Sequence, residues 1–65
     1  GMNIRKGDIV QDKRHPWLQG TVVGFKHHKL SAYLSWNQVL FRSGLHWKDI
    51  ERAFPEDLRV VRRRR

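Results

Sequence analysis

A chain of 65 residues has room for one domain, and folding at this size hides only ~60% of the surface that the unfolded chain exposes, so its core must be small. It contains no cysteine, which excludes a disulfide framework and a thiolate metal site or nucleophile, and no apolar run nears the ~20 residues of a membrane-spanning helix. Lys plus Arg number 14 against 6 Asp plus Glu, a net charge of +8, of which four charges are the terminal arginines and +4 remains on the rest. That balance suits a polyanionic partner, whether nucleic acid, an acidic protein face or anionic lipid, and does not choose among them.

Gly1-Met2 reads as the remnant of a tag and is set apart from the fold. No signal peptide is visible, so the expected location is the cytoplasm. Residues 3–6 are a polar lead-in, and Gly7 lets the chain turn into a first strand over 8–11. Residues 12–19 form a long loop tipped by Lys13, Arg14 and His15, with Pro16 favouring an extended His15. Gly20, able to take a positive φ, opens a second strand over 20–26, and Gly24 inside that β-rich run marks a bulge or a tight bend. Lys26-His27-His28-Lys29 is a polar hairpin connection. A third strand over 30–36 alternates, with Leu30, Ala32, Leu34 and Trp36 toward the core and Ser31, Tyr33 and Ser35 outward. Asn37-Gln38 makes a two-residue turn into a fourth strand over 39–42, which Ser43-Gly44 breaks. Residues 47–51 suit one 3₁₀ turn that buries Ile50, and Pro55 ends that element. A last strand over 58–61 closes the sheet, and residues 62–65 run on as a basic disordered tail.

Five short strands behind one long first loop predict an all-β domain over residues 3–61: a small five-stranded SH3-like barrel with a short 3₁₀ turn before the last strand. Closure removes sheet edges, which invite aggregation in so small a β protein. The alternative is a small open sheet that closes by dimerising. The expected state is a monomer or a weak homo-oligomer.

Four motifs carry a resemblance. Gly7-Asp8-Ile9-Val10, Trp17-Leu18-Gln19-Gly20-Thr21-Val22, Tyr33-Leu34-Ser35-Trp36 and Asp49-Ile50-Glu51 resemble, in order, the patterns of the KOW/Tudor-like SH3-like barrels: G-D-x-V, W-x-x-G-x-V, an alternating strand ending in Trp, and Leu/Ile-Glu. The likeness spans residues 6–53. It implies the barrel and a binding module like those appended to helicases and transcription factors, without naming the ligand. The spacing of Gly7, Asp8, Val10, Lys13, Gln19, Gly20, Val23 and Gly24 is also similar to that of the plasmid-borne, trimethoprim-resistant type of dihydrofolate reductase, a tiny SH3-like barrel that works as a tetramer. The active centre of that family is a Val-Gln-Ile-Tyr run shortly before a terminal Leu-Glu-Arg. Counting back from Ile50-Glu51-Arg52, this chain has Arg42-Ser43-Gly44-Leu45 there. The residues that would hold folate and nicotinamide are absent, so this second likeness implies a shared barrel, and neither a cofactor nor an enzyme is expected.

For nucleic acid, RNA or single-stranded DNA above all, the useful pairing is a cation beside an aromatic face: cations neutralise phosphates, and rings stack on unpaired bases at ~1–3 kcal/mol per base. The candidates are Lys13, Arg14 and Trp17 in the first loop, Lys26 and Lys29 in the hairpin, Arg42, Trp47 and Lys48 after the fourth strand, and Arg62 and Arg63 in the tail. By analogy with SH3-like barrels, the first loop and the loop before the 3₁₀ turn share one groove. Trp36 reads as core. Trp17 reads as a lid over the barrel mouth, with base stacking as its other use, and Trp47 stands between packing and stacking. Phe41 and Phe54 read as staples for the C-terminal segment. An aromatic cage for methylated Lys or Arg would draw on Tyr33, Trp17 and Trp47 with Asp12 or Asp49, although the spacing does not demand one. His27 and His28 point to opposite faces of a strand, and His15 and His46 lie in different loops, so no metal is expected. Ser31, Ser35 and Ser43 have no placed base, and no Gly loop cradles a phosphate. The expected function is a non-catalytic nucleic-acid-binding module with no membrane partner. The alternative is a protein-interaction module that docks on the acidic face of a transcription or translation assembly.

Overall fold

The computed structural model of the protein describes residues 3–65, and Gly1-Met2, read above as a tag remnant, lie outside the described residues. Five strands follow in chain order: β1 (Ile9–Asp12), β2 (Gln19–Lys29), β3 (Ser35–Arg42), β4 (Ile50–Ala53) and β5 (Leu58–Arg62), with a 3₁₀ turn (Pro55–Asp57) between the last two. All neighbours are antiparallel and the sheet order is β4-β3-β2-β1-β5, so β4 and β5 are its outer strands.

Strand β2 is irregular at Gly24, the second of its two glycines. Its register against β3 slips between Val22 and Gly24, leaving Val23 as the extra residue of a bulge. Gly20 has a different role from the one expected. Among the described residues only Gly7 takes a positive φ, at 95°. Gly20 instead lets two backbones approach, because a Cβ there would overlap the carbonyl of Arg42. Gly20→Ala should therefore lower the melting temperature by about 4–20 °C, the equivalent of ~1–3 kcal/mol of overpacking in a domain of this size. Gly24→Ala meets open space and should leave the melt nearly unchanged in the same circular-dichroism experiment.

The core is six residues: Ile4 from the lead-in, Val10 from β1, Val22 from β2, Val39 and Phe41 from β3, and Leu58 from β5, with Leu18, Ala53 and Val60 packed against them. Phe41 is fully buried, so it is the centre of the core and not a C-terminal staple. The third and fourth predicted strands are one strand. Asn37 and Gln38 lie inside β3, opposite His27 and Lys26, and no turn separates them. The chain turns earlier, over residues 30–34, where the Leu30 N–H donates to the Leu34 carbonyl at 2.9 Å. Leu30, Ala32, Leu34 and Trp36 are consequently exposed. Their alternation is real, but β1 leaves β2 at Thr21 and β4 leaves β3 at Val39, so nothing lies beside the outer half of the hairpin to cover them.

Residues 46–49 form a turn held by the Asp49 carboxylate, which accepts from the His46 N–H at 3.1 Å, while Ile50 opens β4 and is exposed. The 3₁₀ turn sits later, at Pro55–Asp57, still ahead of the last strand. Pro55 starts it and does not end the preceding element, because a first helical position needs no N–H donor and favours the φ that proline fixes.

Candidate nucleic-acid interface

In an antiparallel meander alternate loops leave at the same end, so the β1–β2 loop and the β3–β4 loop share one end of the sheet. They abut where Gly20 passes Arg42 and Ser43. The first loop is internally braced. The Asp12 carboxylate accepts from the backbone N–H groups of Arg14 at 2.7 Å and His15 at 3.0 Å, and Gln11 Nε2 donates to the Pro16 carbonyl at 2.8 Å. It is also tied to the 3₁₀ turn: the Lys13 N–H donates to the Asp57 carbonyl at 2.9 Å and Lys13 Nζ to the Glu56 carbonyl at 3.0 Å. Arg14 lies 3.8 Å from Asp57, with its side chain mostly in solvent, where such a pair contributes little.

This bracing turns Trp17 outward. It is 79% exposed, its ring 5.1 Å from that of His15, and covers no barrel mouth. Trp47 is 74% exposed, with Lys48 Nζ 5.5 Å from its ring centre and the His46 ring at 6.0 Å. Arg42, the last residue of β3, is exposed where that strand enters the same loop. Lys13, Arg14, Trp17, Arg42, Trp47 and Lys48 thus belong to one end of the sheet. Trp36 is neither core nor part of that end: it stacks on His28 at 5.1 Å and 11° across the outer hairpin.

The other four candidates lie elsewhere. Lys26 and Lys29 stand on the hairpin at the opposite end. Arg62 is the last residue of β5, paired with Ile9, and Arg63 and Arg64 are bonded to Asp8, so residues 62–64 join the folded body and do not trail as a free tail. Tyr33, at the hairpin tip, is remote in the sheet from Trp17 and Trp47, so these three rings do not converge as a cage.

The residue that organises the second region is Asp8, which is 1% exposed. Its carboxylate accepts from the Arg64 N–H at 2.8 Å and the Arg5 N–H at 2.9 Å, with the Arg63 guanidinium 3.4 Å away. Asp8, Asn3, Arg5, Arg63, Arg64 and Arg65 line a cavity of about 310 Å³. The Arg64 N–H foremost, then the Arg5 N–H, hold the carboxyl below its ordinary 3.8; burial opposes them and Arg63 assists. A lowered folded pKa stabilises the fold above the ordinary value, and this contribution is lost as pH falls through the folded one. The melting temperature should therefore hold above about pH 5 and drop below about pH 4, where the unfolded chain takes up the proton first. Asp8→Asn should melt lower than wild type at pH 7 and show a shallower acid drop in the same scan. Sequence reading gives Asp8 no more than a pairing role, because its foremost partner is a backbone N–H 56 residues away.

From Lys13 to Lys48 the chain contains no Asp or Glu and carries all four histidines and six Lys or Arg, but Lys26 and Lys29 of that stretch lie on the hairpin, and Asp12, Asp49 and Asp57 stand at the first end with the other four cations. Among the described residues no group of three His, Asp or Glu side chains is placed to hold a metal, and no helix is long and apolar enough to cross a membrane. Comparison with protein-family models, curated proteins and solved structures finds no match for this chain.

Proposed function

We propose that the protein is a non-catalytic module that binds single-stranded nucleic acid, RNA or DNA, at the end of the sheet carrying Trp17 and Trp47. The observation that carries this reading is the pair of rings, 79% and 74% exposed, at one end of the sheet, with Lys48 against the second of them. Isolated exposed aromatics are ordinary, but two tryptophans flanked by Arg42 and Lys48 make a stacking platform beside phosphate-neutralising charge. Lys13 and Arg14 extend the charge along the first loop. The strand order, with a 3₁₀ turn linking the outer strands, supports an SH3-like barrel of the KOW/Tudor-like type, in which such loops flank a binding groove.

Tryptophan fluorescence titrated with short single-stranded RNA and DNA, at low and moderate salt, tests the reading. Saturable quenching is expected, with an affinity that falls as salt rises by a log–log slope of about −0.7 per phosphate contact. An unchanged signal at low salt, with the fold intact, rejects it and moves the assignment to an acidic protein partner.

A further inference from the structure

The outer half of the β2–β3 hairpin is the most unusual feature of the fold. Pairing continues outward through Lys26↔Gln38, His27↔Asn37, His28↔Trp36 and Lys29↔Ser35, although β1 and β4 have already left the sheet. The result is a free two-stranded finger in a molecule whose extents, finger included, are 36 × 25 × 25 Å. An isolated two-stranded ribbon is marginal in water, but this one is braced on both faces. His27 Nδ1 bonds Asn37 Oδ1 at 2.8 Å on one face, and His28 Nε2 bonds Gln38 Oε1 at 2.6 Å on the other, where the His28 ring also stacks on Trp36. Its tip is closed by Ser31 Oγ, which accepts from the N–H groups of Tyr33 and Leu34 at 3.2 and 3.1 Å. That turn leaves Tyr33 99% exposed with Leu30 and Leu34 beside it.

We propose that this finger enters the major groove of B-form DNA tip first, a second contact beyond the single-strand platform. The dimensions fit. Four residues of each strand beyond the body reach about 13 Å, enough for a groove ~8.5 Å deep, and a sheet with side chains on both faces is ~10 Å thick against a groove ~12 Å wide. The charges fit as well. Lys26 and Lys29 are three residues apart with no bulge between them, so they lie on opposite faces and reach the phosphates of opposite groove walls. No carboxylate stands anywhere on the finger. Its apolar tip then meets base edges, where thymine presents a methyl group. A second copy of the chain would bring Lys against Lys at the same positions.

The test is fluorescence anisotropy of a labelled 20-base-pair A·T-rich DNA duplex with the full chain, beside an RNA duplex of matching sequence and a single strand. The DNA duplex should bind at least about tenfold tighter than the RNA duplex, whose major groove is too narrow for side chains to read. Lys26→Gln with Lys29→Gln should reduce the salt slope by about 2. Tyr33→Ser with Leu34→Ser should weaken duplex binding about tenfold, keep the salt slope, and lose the penalty that wild type shows when thymine is replaced by uracil. Both double variants alter exposed positions, and single-strand binding should survive in each. Equal affinity for the two duplexes, or tip variants that bind DNA as wild type does, overturns the proposal. Single-strand binding without duplex binding overturns it while sparing the platform, and duplex binding without single-strand quenching does the reverse.

Discussion

Phe41→Ala should leave the chain largely unfolded at 25 °C. Phe41 is the next-to-last residue of β3, opposite Val22 on one side and Glu51 on the other, with none of its surface exposed. Truncating a buried Phe costs ~3–5 kcal/mol, the lost transfer energy plus that of the cavity left behind. A core of six buried residues in a domain of this size supplies net stability of about the same amount, ~3–5 kcal/mol. One side chain therefore decides whether the protein folds. Far-ultraviolet circular dichroism in a thermal melt reads the result. Trp17→Ala, which removes a larger ring from solvent, should melt within a few degrees of wild type. A cooperative melt of Phe41→Ala close to wild type would show that the core is not where the burial pattern puts it.

The joint removal of Trp17 and Trp47 should reduce single-strand affinity by roughly 30-fold or more while the fold stays intact. Each base stacked on an aromatic ring contributes ~1–3 kcal/mol, so two independent rings together contribute ~2–6 kcal/mol. The single variants separate two arrangements. If both rings engage one strand at once, each alone should cost about fivefold or more, and the double variant should approach the product. If one ring binds and the other is only exposed, a single variant should reproduce the whole loss. Because charge is untouched, the salt slope should persist in every case, whereas Arg42→Gln with Lys48→Gln should flatten it by about 1.4. A double tryptophan variant that binds RNA and DNA oligonucleotides with wild-type affinity would reject the stacking platform.

These two outcomes rest on information of different origin. The all-β class, the first two strands and the bulge at Gly24 are legible in the sequence, because each depends on local chemistry: β-branched runs and glycine in a strand; a 3₁₀ turn ahead of the last strand is legible too, but not its place, which is Pro55–Asp57 and not 47–51. The cations of the candidate site are legible for the same reason. A charge on a loop is exposed in almost any fold, so Lys13, Arg14, Arg42 and Lys48 could be named before their neighbours were known. The tryptophans could not. Trp36 ends an alternating apolar run and Trp17 follows a proline in a polar loop, and neither pattern reports how far the adjacent strands extend. Trp36 continues an apolar face that the core never reaches, and Trp17 is turned outward by hydrogen bonds of Asp12 and Gln11 within its own loop.

By itself, then, the sequence determined one small, cysteine-free, basic β domain with a long first loop and a break after Arg42, since composition and short-range backbone preference settle those, but it misplaced the hairpin turn, which lies at 30–34. Only the tertiary structure decided which rings face solvent, that β3 is one strand running into a free finger, and that the terminal arginines close on Asp8. The exposure of Trp36, the finger and the Asp8 closure depend on partners distant in sequence, namely the lengths of β1 and β4 beside the hairpin and the Arg64 N–H across the chain from Asp8, whereas Trp17 is turned outward by bonds within its own loop. Long-range pairing is set by which surfaces remain to be covered once the core is filled, and no local pattern carries that quantity.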